Sequence, residues 1–371
     1  MAGRLRDCLR ESDTAARLGG DEFAILLEDV PEPGDVARTA DRLIDALEPP
    51  FELAGRQVFV HASIGVALGL EGHAENSDDL LRNADVAMYV AKGKGKRRYE
   101  FFKPSMHSGV IERQQLKTDL QRAIDHREFV LHYQPIVSLT SGEIEGMEAL
   151  VRWQHPELGL LPPADFIPLA EETGLIHPIG DWVLRQACEQ MRAWQEELGR
   201  RLTINVNLSP RQVAEPTLVQ TVAAALTDSG LAQHSLVLEI TEAVLMSDTE
   251  TTTGKLERLK KLGVRRAIDD FGTGYSSLDY LKRLPIEVIK VAKPFVDDIT
   301  KGSEESALTN VLIGIGDTFR LDTVAEGIEH GAQATRLAEL GCPLGQGFHF
   351  AHPADVAGAG ALLRDGLPAL G

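Results

Sequence analysis

The chain is organised around the stretch DDFGTGYSSL, residues 269–278, which lies between a short strand-like run at 264–268 and an apolar-periodic segment that begins at Leu278. Adjacent carboxylates on a strand point to opposite faces, unless the strand ends there and the backbone turns. At a strand's end both can reach one point, as a two-metal site requires. Gly272 and Gly274 let the backbone turn tightly and approach a ligand. Taken alone, the stretch also fits an ordinary strand-to-helix turn with one capping and one solvated Asp.

Segments with strand and helix character alternate after residue 128, which predicts an α/β fold. The predicted strands are 129–137, 143–151, 202–208, 236–241, 265–270, 287–291, 322–326 and 345–350. The predicted helices are 178–198, 210–229, 249–262, 276–284, 305–319 and 330–340. About eight strands in roughly 250 residues indicate a TIM-type (β/α)8 barrel. The first two strands are joined around Ser141-Gly142, too short for a parallel crossover, so one strand is expected to be antiparallel.

A mixed α+β unit is predicted over 1–103, followed by a linker helix within 104–127 and the barrel over 128–371. The unit is expected to contain the end of a helix (4–11), a β-hairpin (15–27), a helix (35–47), two strands (51–53 and 58–68), a helix (77–92) and a last strand (99–102). In the linker, apolar residues recur at helical spacing over 116–124. The domain organisation is therefore a small unit, one helix and a barrel.

Composition limits the partners and the compartment. The 371 residues are 43% hydrophobic and carry a net charge of −18, which repels nucleic acid and anionic lipid, so no nucleic-acid partner is expected. The three cysteines show no paired metal spacing, which fits a reducing compartment. No apolar run reaches transmembrane length and no signal-peptide core opens the chain, so we expect no membrane segment and a cytoplasmic location.

Polar residues end one predicted barrel strand after another. They are Glu148, Asn207, Glu239 with Glu242, Asp269 with Asp270, Lys290, Glu326 and Gln346. Each alone has an ordinary explanation as a surface residue, a turn former or a salt-bridge partner. Together these explanations are weak, because polar groups inside a barrel are costly unless they are paired or bound to metal. Chemistry gathers at the carboxyl ends of barrel strands, and all-oxygen ligands suit Mg²⁺ or Mn²⁺.

These strand ends resemble the EAL family of cyclic di-GMP phosphodiesterases over about 113–357. The matching stretches are YQPIV (133–137), EALVRW (148–153), NVNLSPRQ (205–212), LEITE (238–242), DDFGTGYSSL (269–278), AEGIE (325–329) and GQGFHF (345–350). The resemblance implies hydrolysis of cyclic di-GMP to linear pGpG with two Mg²⁺ or Mn²⁺ ions per barrel.

The resemblance also implies roles for individual residues. The first metal would be held by Glu148, Asn207, Glu239 and Asp269, and the second by Asp269, Asp270 and Glu326. Lys290 would orient or deprotonate the attacking water, and Glu242 would hold the loop after Asp270. The ligand would be bound by Gln134, Arg152, Glu329 and Gln346, with Arg152 on a phosphate.

One position departs from that family's pattern, which usually reads Lys-Ile-Asp after the sixth strand. Here the sequence is Lys290-Val291-Ala292, so an acid expected near the metal pair is replaced. This substitution predicts a weaker second metal site and leaves a second function open, a non-catalytic receptor that binds cyclic di-GMP and signals through a partner. A third hypothesis, an unrelated barrel enzyme, would not explain why EALVRW and DDFG both occur in this chain.

The first unit resembles the GGDEF (diguanylate cyclase) family through GGDEF at 19–23, SIGVAL at 63–68 and NADVAMYVAKGKGK at 83–96, although Lys96 replaces the usual Arg. Arg10 and Asp13 match that family's inhibitory product-binding RxxD. The chain begins after the segment that carries the family's first metal Asp, so Asp21 is expected to be half of a metal site and the unit inactive as a cyclase. Apolar strands over 22–27 and 58–68 would then be uncovered, which predicts a homodimer.

Overall fold

The computed structural model describes residues 1–30, 32–53, 56–69, 76–93, 97–247, 249–273, 281–300 and 302–367. The chain divides into two compact units, Met1–Thr118 and Asp119–Gly371. No helix in these described ranges is both long enough and apolar enough to cross a membrane.

The first unit is a mixed α+β structure, as predicted. Its elements are α1 (Ala2–Asp7), β1 (Thr14–Gly19), β2 (Glu22–Leu26), α2 (Pro33–Leu47), β3 (Phe51–Leu53), β4 (Arg56–Val58), β5 (Ile64–Val66), α3 (Ser77–Gly93) and β6 (Tyr99–Phe101). The β1–β2 hairpin is antiparallel and turns through Gly20, whose φ of 52° favours glycine. Helix α2 buries Val36, Leu43 and Leu47, which recur on one face at helical spacing.

The predicted strand over 58–68 is wrong in most of its length. Strand β4 ends at Val58 and pairs with β3, whereas β5 covers only Ile64–Val66 and pairs in parallel with β6. Phe59, counted in the apolar run, is 62% exposed. At Gly65 a Cβ atom would lie 1.8 Å from the carbonyl oxygen of Ala84, so β5 packs directly on the α3 backbone. Apolar content alone therefore overestimated the strand.

A single helix, α4 (Ser105–His126), lies within the predicted linker 104–127 and spans the residues at which the two units are divided. The strands that follow are β7 (Phe129–Ser138), β8 (Ile144–His155), β9 (Gly159–Leu161), β10 (Thr203–Asn207), β11 (Leu236–Thr241), β12 (Arg265–Phe271), β13 (Val288–Val291), β14 (Asp322–Ala325) and β15 (Leu344–Gly345). Eight of them close into a barrel, because β8 pairs with β10 at one side and β7 pairs with β15 at the other. Strand β7 is antiparallel to both of its neighbours, so the predicted (β/α)8 barrel with one antiparallel strand is confirmed.

The barrel helices include the predicted ones that lie within the described residues, with differences in extent, and four that were not predicted. They are α5 (Pro163–Thr173), α6 (Ile176–Leu198), α7 (Pro210–Ala214), α8 (Leu218–Ser229), α9 (Glu242–Ser247), α10 (Thr249–Leu262), α11 (Lys293–Asp298), α12 (Ser303–Phe319), α13 (Gly331–Glu339) and α14 (Val356–Asp365). The four that were not predicted are α5, α9, α11 and α14. The predicted helix 210–229 is divided at Pro216, because proline disfavours helical geometry in the residue before it. Much of the predicted helix 276–284 lies outside the described residues.

The predicted strand 345–350 is also wrong, since β15 ends at Gly345 and the chain turns over 347–350. Gly347 lies against the backbone of Ile328, where a Cβ atom would be 2.1 Å from the carbonyl oxygen. A continued strand cannot make this contact, which brings the segment after β15 beside the segment after β14.

The barrel interior is built in layers that place the functional residues. Its apolar layer contains one side chain from each of five strands: Ile136, Val237, Ala267, Val288 and Val324. Side chains two positions apart on a strand share a face. Two residues toward the mouth from this layer, the inward side chains are therefore Gln134, Glu239, Asp269, Lys290 and Glu326. Strand periodicity thus places a polar layer directly above an apolar one.

Candidate active site

Lys290 lies at the centre of the polar layer. Its Nζ atom is 2.8 Å from Glu239 Oε2, 3.2 Å from Glu148 Oε2, 2.6 Å from Glu326 Oε1 and 3.5 Å from Asp269 Oδ1. The Lys290 side chain is 1% exposed. One buried ammonium therefore faces four carboxylates from four strands or strand ends.

Side-chain amides complete the layer. Asn207 Nδ2 donates to Glu148 Oε1 at 2.6 Å, and Gln346 Nε2 donates to Glu148 Oε2 at 2.6 Å and to Gln134 Oε1 at 2.9 Å. Asn205, which the sequence analysis did not single out, donates from Nδ2 to Glu239 Oε1 at 2.7 Å. The spacing of Asn205 and Asn207 puts both on one strand face, and this signal could have identified Asn205.

Glu148 occupies the middle of its strand and not the predicted carboxyl end. Strand β8 continues to His155 because it pairs with β7 and β9 beyond the closed barrel. The β7–β8 register sets Gln134 directly opposite Glu148. Glu148 therefore reaches the site through the inward face of the strand, whereas Asn207 reaches it as the last residue of β10.

Burial and neighbouring charges shift the ionisation of this layer. Burial raises the pKa of Glu326 to about 8, although Lys290 opposes the shift. Burial and the Glu148 carboxylate raise the pKa of Glu239 well above its usual range. Burial also acts on Glu148, but the Lys290 ammonium and hydrogen bonds from Gln346 and Asn207 hold its pKa below the ordinary value. The polar layer thus contains more acidic side chains than the single Lys290 ammonium can neutralise.

The carboxylates around Lys290 determine the direction of its pKa shift. Burial alone would lower its pKa, but the four surrounding carboxylates raise the pKa well above the ordinary value. In this arrangement the Lys290 ammonium donates hydrogen bonds to Glu148 and Glu239. Both roles predicted for Lys290, orientation and deprotonation of the attacking water, stay predictions.

The chemistry of the acidic side chains fits a hard divalent cation, because they offer only oxygen atoms as metal ligands. Asp269 Oδ1 is buried and has no hydrogen-bond partner. Its distance to Lys290 Nζ, 3.5 Å, is that of an ion pair without a hydrogen bond. No group of three or more His, Cys, Asp and Glu side chains in the described part of the chain is arranged to hold a metal ion. The carboxylates close around Lys290 instead, so that the ammonium neutralises part of their charge.

A hydrogen bond to Glu242 holds the backbone where it turns after β12. Asp270 has a φ of 54°, which is uncommon for a residue other than glycine, and burial together with Asp269 raises its pKa. Gly272 has a φ of 99°, and its N–H donates to Glu242 Oε2 at 3.0 Å. Glu242, 2% exposed at the start of α9, thus holds the backbone two residues after Asp270. The predicted loop residues 274–278 lie outside the described residues.

A cavity of about 240 Å³ opens beside the polar layer. Its lining residues are Gln134, Glu148, Leu150, Lys293, Glu326, Gly327, Glu329, Gln346, Gly347 and Phe348. Three of the four predicted ligand-binding residues therefore face one space. The fourth, Arg152, lies further along β8 and donates from Nη1 to the carbonyl oxygen of Val151 at 2.9 Å.

Ala292 is fully buried at the N-cap of α11. Its carbonyl oxygen accepts from the N–H of Phe295 at 3.1 Å, and its side chain offers no cap to the helix. An Asp at this position could have capped α11 as well as contributing charge. The substitution therefore has a structural consequence that the sequence comparison of Lys-Ile-Asp with Lys290-Val291-Ala292 did not reveal.

The predicted inhibitory residues of the first unit occupy a turn between α1 and β1. Arg10 is exposed and Asp13 is half-buried, and Asp13 Oδ2 accepts from the backbone N–H of Arg10 at 2.8 Å. Asp21 of the hairpin is exposed. Asp13 therefore stabilises its own turn, which is the ordinary role of such a residue.

Two protein families match this chain. The EAL domain matches residues 117–353, and the diguanylate cyclase GGDEF domain matches residues 1–98. The chain therefore belongs to the EAL domain family, with a GGDEF region before the barrel.

Individual relatives agree with this assignment. The chain is 44% identical over 353 residues to the bifunctional diguanylate cyclase/cyclic di-GMP phosphodiesterase MucR of Pseudomonas aeruginosa, covering 95% of this chain and 51% of that protein. It is 39% identical over 364 residues to the cyclic di-GMP phosphodiesterase NbdA of the same organism, covering 98% and 46%. The chain thus spans about half the length of these relatives. The solved PaMucR phosphodiesterase in its c-di-GMP complex is 44% identical with a TM-score of 0.64, covering 66% of this chain and 99% of that one.

Proposed function

We propose that this chain hydrolyses cyclic di-GMP to linear pGpG at the mouth of its barrel. The observation that carries the proposal is the Lys290 ammonium held within 3.5 Å of four carboxylates, beside a cavity lined by Gln134, Glu329 and Gln346. Support comes from the family and from relatives that are named as cyclic di-GMP phosphodiesterases. Contacts among six of the eight proposed metal-binding and catalytic residues support the proposal; the six are Glu148, Asn207, Glu239, Asp269, Lys290 and Glu326.

We propose that two Mg²⁺ or Mn²⁺ ions act with these residues. Glu148, Asn207, Glu239 and Asp269 would hold one, and Asp269, Asp270 and Glu326 the other. When bound, such ions acidify a water molecule and neutralise charge on the phosphodiester. Two observations support this assignment: the carboxylates outnumber the single ammonium, and the buried Asp269 Oδ1 has no hydrogen-bond partner.

The chain's own residues would bind and orient the substrate. Gln134 and Gln346 are linked by a hydrogen bond and line the cavity. Gln346 donates both of its N–H bonds, to Gln134 Oε1 and Glu148 Oε2, so its buried Oε1, which has no partner, would accept a hydrogen bond from the ligand. Gln134 Nε2 donates to the carbonyl oxygen of Ala351 at 3.0 Å and keeps one N–H for a phosphate or a sugar.

Lys290 donates from a buried position and would orient the attacking water or accept its proton. Glu242 would hold the loop after Asp270, and its Oε2 accepts from the N–H of Gly272.

The test is incubation of the purified chain with cyclic di-GMP and either Mg²⁺ or Mn²⁺, followed by chromatographic separation of the nucleotides. We expect pGpG to form, and none to form with Glu148→Ala. The Glu148→Ala protein also tests the first unit, which is predicted to make no cyclic di-GMP from GTP. Cyclic di-GMP produced from GTP by that variant would contradict the prediction.

A second candidate function is a receptor that binds cyclic di-GMP without cleaving it. Ala292, in place of the usual acid, favours this alternative, while the otherwise full set of acidic residues favours hydrolysis. If the chain binds cyclic di-GMP but forms no product at any Mg²⁺ or Mn²⁺ concentration, the receptor function is the correct one.

Self-association of the chain also stays a prediction. Light scattering at tens of micromolar, the order expected for weak association, tests it.

A further inference from the structure

Two asparagines on β10 each hold one glutamate of the polar layer. Strand β10 lies between β8, which carries Glu148, and β11, which carries Glu239. Asn207 donates to Glu148 Oε1 at 2.6 Å, and Asn205 donates to Glu239 Oε1 at 2.7 Å. The proposed metal ligands include Asn207, whereas Asn205 has no role among them.

The strand register shows that these two contacts are crossed. In the ladder between β8 and β10, Asn205 lies opposite Glu148, and in the ladder between β10 and β11, Asn207 lies opposite Glu239. Each asparagine nevertheless donates to the glutamate that lies opposite the other one. Both contacts therefore depend on the register of three neighbouring strands, so the fold itself brings Asn205 to Glu239.

The contact between Asn205 and Glu239 is buried, since the two residues are 3% and 0% exposed. The two oxygens of the Glu239 carboxylate accept from different donors, Oε1 from Asn205 and Oε2 from Lys290 at 2.8 Å. Rotation about the last bond of a glutamate is otherwise only weakly restricted. Asn205 thus fixes the orientation in which the carboxylate directs Oε2 toward Lys290.

We propose that Asn205 is a positioning residue that orients the Glu239 carboxylate for a divalent cation, an inference that rests on the metal ligands of the proposed function. Hydrogen-bond partners of a metal-binding carboxylate fix its orientation, and losing one typically weakens metal binding by about 10- to 100-fold. The Asn205 amide reaches Glu239 and is not among the groups that line the cavity. It therefore acts through Glu239 and not on the nucleotide.

The test measures Mn²⁺ binding to the whole chain by calorimetry without nucleotide, together with the kinetics of cyclic di-GMP hydrolysis. Asn205→Leu keeps a side chain of similar shape and removes the donor. We expect the Mn²⁺ Kd to rise by at least about tenfold in this variant. At saturating Mn²⁺ the KM for cyclic di-GMP should stay unchanged, because Asn205 lies outside the cavity.

The matched control is Gln195→Leu in α6, which removes a side-chain amide at the opposite ends of the same two strands. Gln195 Nε2 donates to the carbonyl oxygen of Leu202, just before β10, at 2.8 Å and to Ser235 Oγ, just before β11, at 3.0 Å. This variant should lower the Tm and leave the Mn²⁺ Kd unchanged. An equal rise of the Mn²⁺ Kd in both variants would overturn the proposal, because it would show that Asn205 only stabilises the strands.

A second variant, Asn205→Ala, removes the same amide without placing apolar atoms beside Glu239, and it serves as the test if Asn205→Leu does not fold. Wild-type Mn²⁺ affinity in either folded variant would overturn the proposal. An unchanged Mn²⁺ Kd with a raised KM would assign Asn205 to nucleotide binding and would also overturn it.

These outcomes are separable from those of the proposed function. If the wild type binds Mn²⁺ and cleaves cyclic di-GMP, and the Asn205 variants do so equally well, the positioning role is refuted and hydrolysis is left standing. If the wild type binds no Mn²⁺ and forms no pGpG, the proposed metal ligands are refuted, and the inference about Asn205 with them.

Discussion

The barrel mouth and the hairpin of residues 14–26 both carry acids from family motifs, but in opposite surroundings. Glu239 is 0% exposed and lies 2.8 Å from a buried ammonium, whereas Asp21 and Glu22 of the hairpin are exposed. The barrel acids sit on inward strand faces above an apolar layer. The hairpin is a two-stranded sheet whose first strand is exposed throughout.

The difference shows that a motif identifies ancestry and that burial decides what its acids can do. Buried carboxylates repel one another strongly and must be offset by a cation or a proton. Exposed carboxylates are solvated and contribute little to stability or to a site unless a partner is brought to them. Substitutions in the barrel layer should therefore have large effects, and substitutions in the first unit small ones.

The largest effect is expected from Lys290→Met, which leaves the four carboxylates without their ammonium. Removing one partner of a buried ion pair costs on the order of 3–5 kcal/mol. We expect the free energy of unfolding of the barrel to fall by about this amount in urea titration without divalent metal, and hydrolysis to be lost. Lys261→Met, at an exposed position of α10, is the matched control and should change neither. A Lys290→Met protein of wild-type stability would remove the contrast between the two regions.

The polar layer was largely predictable because strand periodicity is two. Once the strands were assigned, Asp269, Lys290 and Glu326 had to face inward at the mouth. Glu148 shows the limit of that reasoning, since β8 continues past it into a pairing with β9 that no local signal marks. Gln346 was placed correctly although its strand was not, because it follows the inward Leu344 by two residues.

Other features depend on contacts through space and were not predictable. The pKa of Lys290 is raised by four carboxylates distant in sequence, and no local pattern around Lys290 predicts this. Helix α5 was missed because Pro162, Pro163 and Pro168 suggest a loop, yet two of them lie at its start, where proline is tolerated. The ion pair between Lys293 Nζ and Glu329 Oε1, 3.0 Å apart, joins the start of α11 to the segment just before α13.

The second effect concerns pH and metal together. Burial raises the pKa of Glu326 from 4.5 to about 8, so the folded protein keeps a proton that the unfolded chain releases between these values. The contribution is complete below pH 4.5 and is lost as pH rises through about 8, on the order of a few kcal/mol. Without metal, wild-type stability should therefore fall with pH more steeply than that of Glu326→Gln.

Divalent cations should reverse this loss, because they replace the proton on Glu326. We expect Mn²⁺ to raise the Tm of the wild type more at pH 8.5 than at pH 6, and the difference to shrink in Glu326→Gln. Equal Tm increases at both pH values would show that the acid is not part of a metal site. The acids of the barrel layer would then bind protons but no metal ion. They would differ from the hairpin acids only in being buried.

The third effect is expected from restoring the acid at Ala292. With Ala292 in place, we expect slow hydrolysis that depends steeply on metal concentration and is faster with Mn²⁺ than with Mg²⁺, because Mn²⁺ tolerates less regular geometry. Ala292→Asp should lower the half-saturating Mn²⁺ concentration by about tenfold, corresponding to about 1.4 kcal/mol, with little change in ligand affinity.

Ala292→Asn is the matched variant, since it can cap α11 through the N–H of Phe295 without adding charge. It should cap α11 as an Asp would and leave the metal dependence unchanged. If the Asp and Asn variants respond alike to Mn²⁺, the effect belongs to the cap and the replaced acid does not explain slow turnover.

The smallest effect is expected from Arg10→Ala in the first unit. Arg10 is exposed and Asp13 already accepts from the Arg10 backbone N–H, so the substitution should leave stability within about 1 kcal/mol and hydrolysis in the barrel unchanged. If the turn binds cyclic di-GMP, calorimetry will show one weak site fewer in Arg10→Ala than in the wild type, while the barrel site keeps its affinity. An unchanged stoichiometry would reject binding at this turn. A changed hydrolysis rate would be more serious, because it would mean that an exposed turn of the first unit acts on the buried charges of the second.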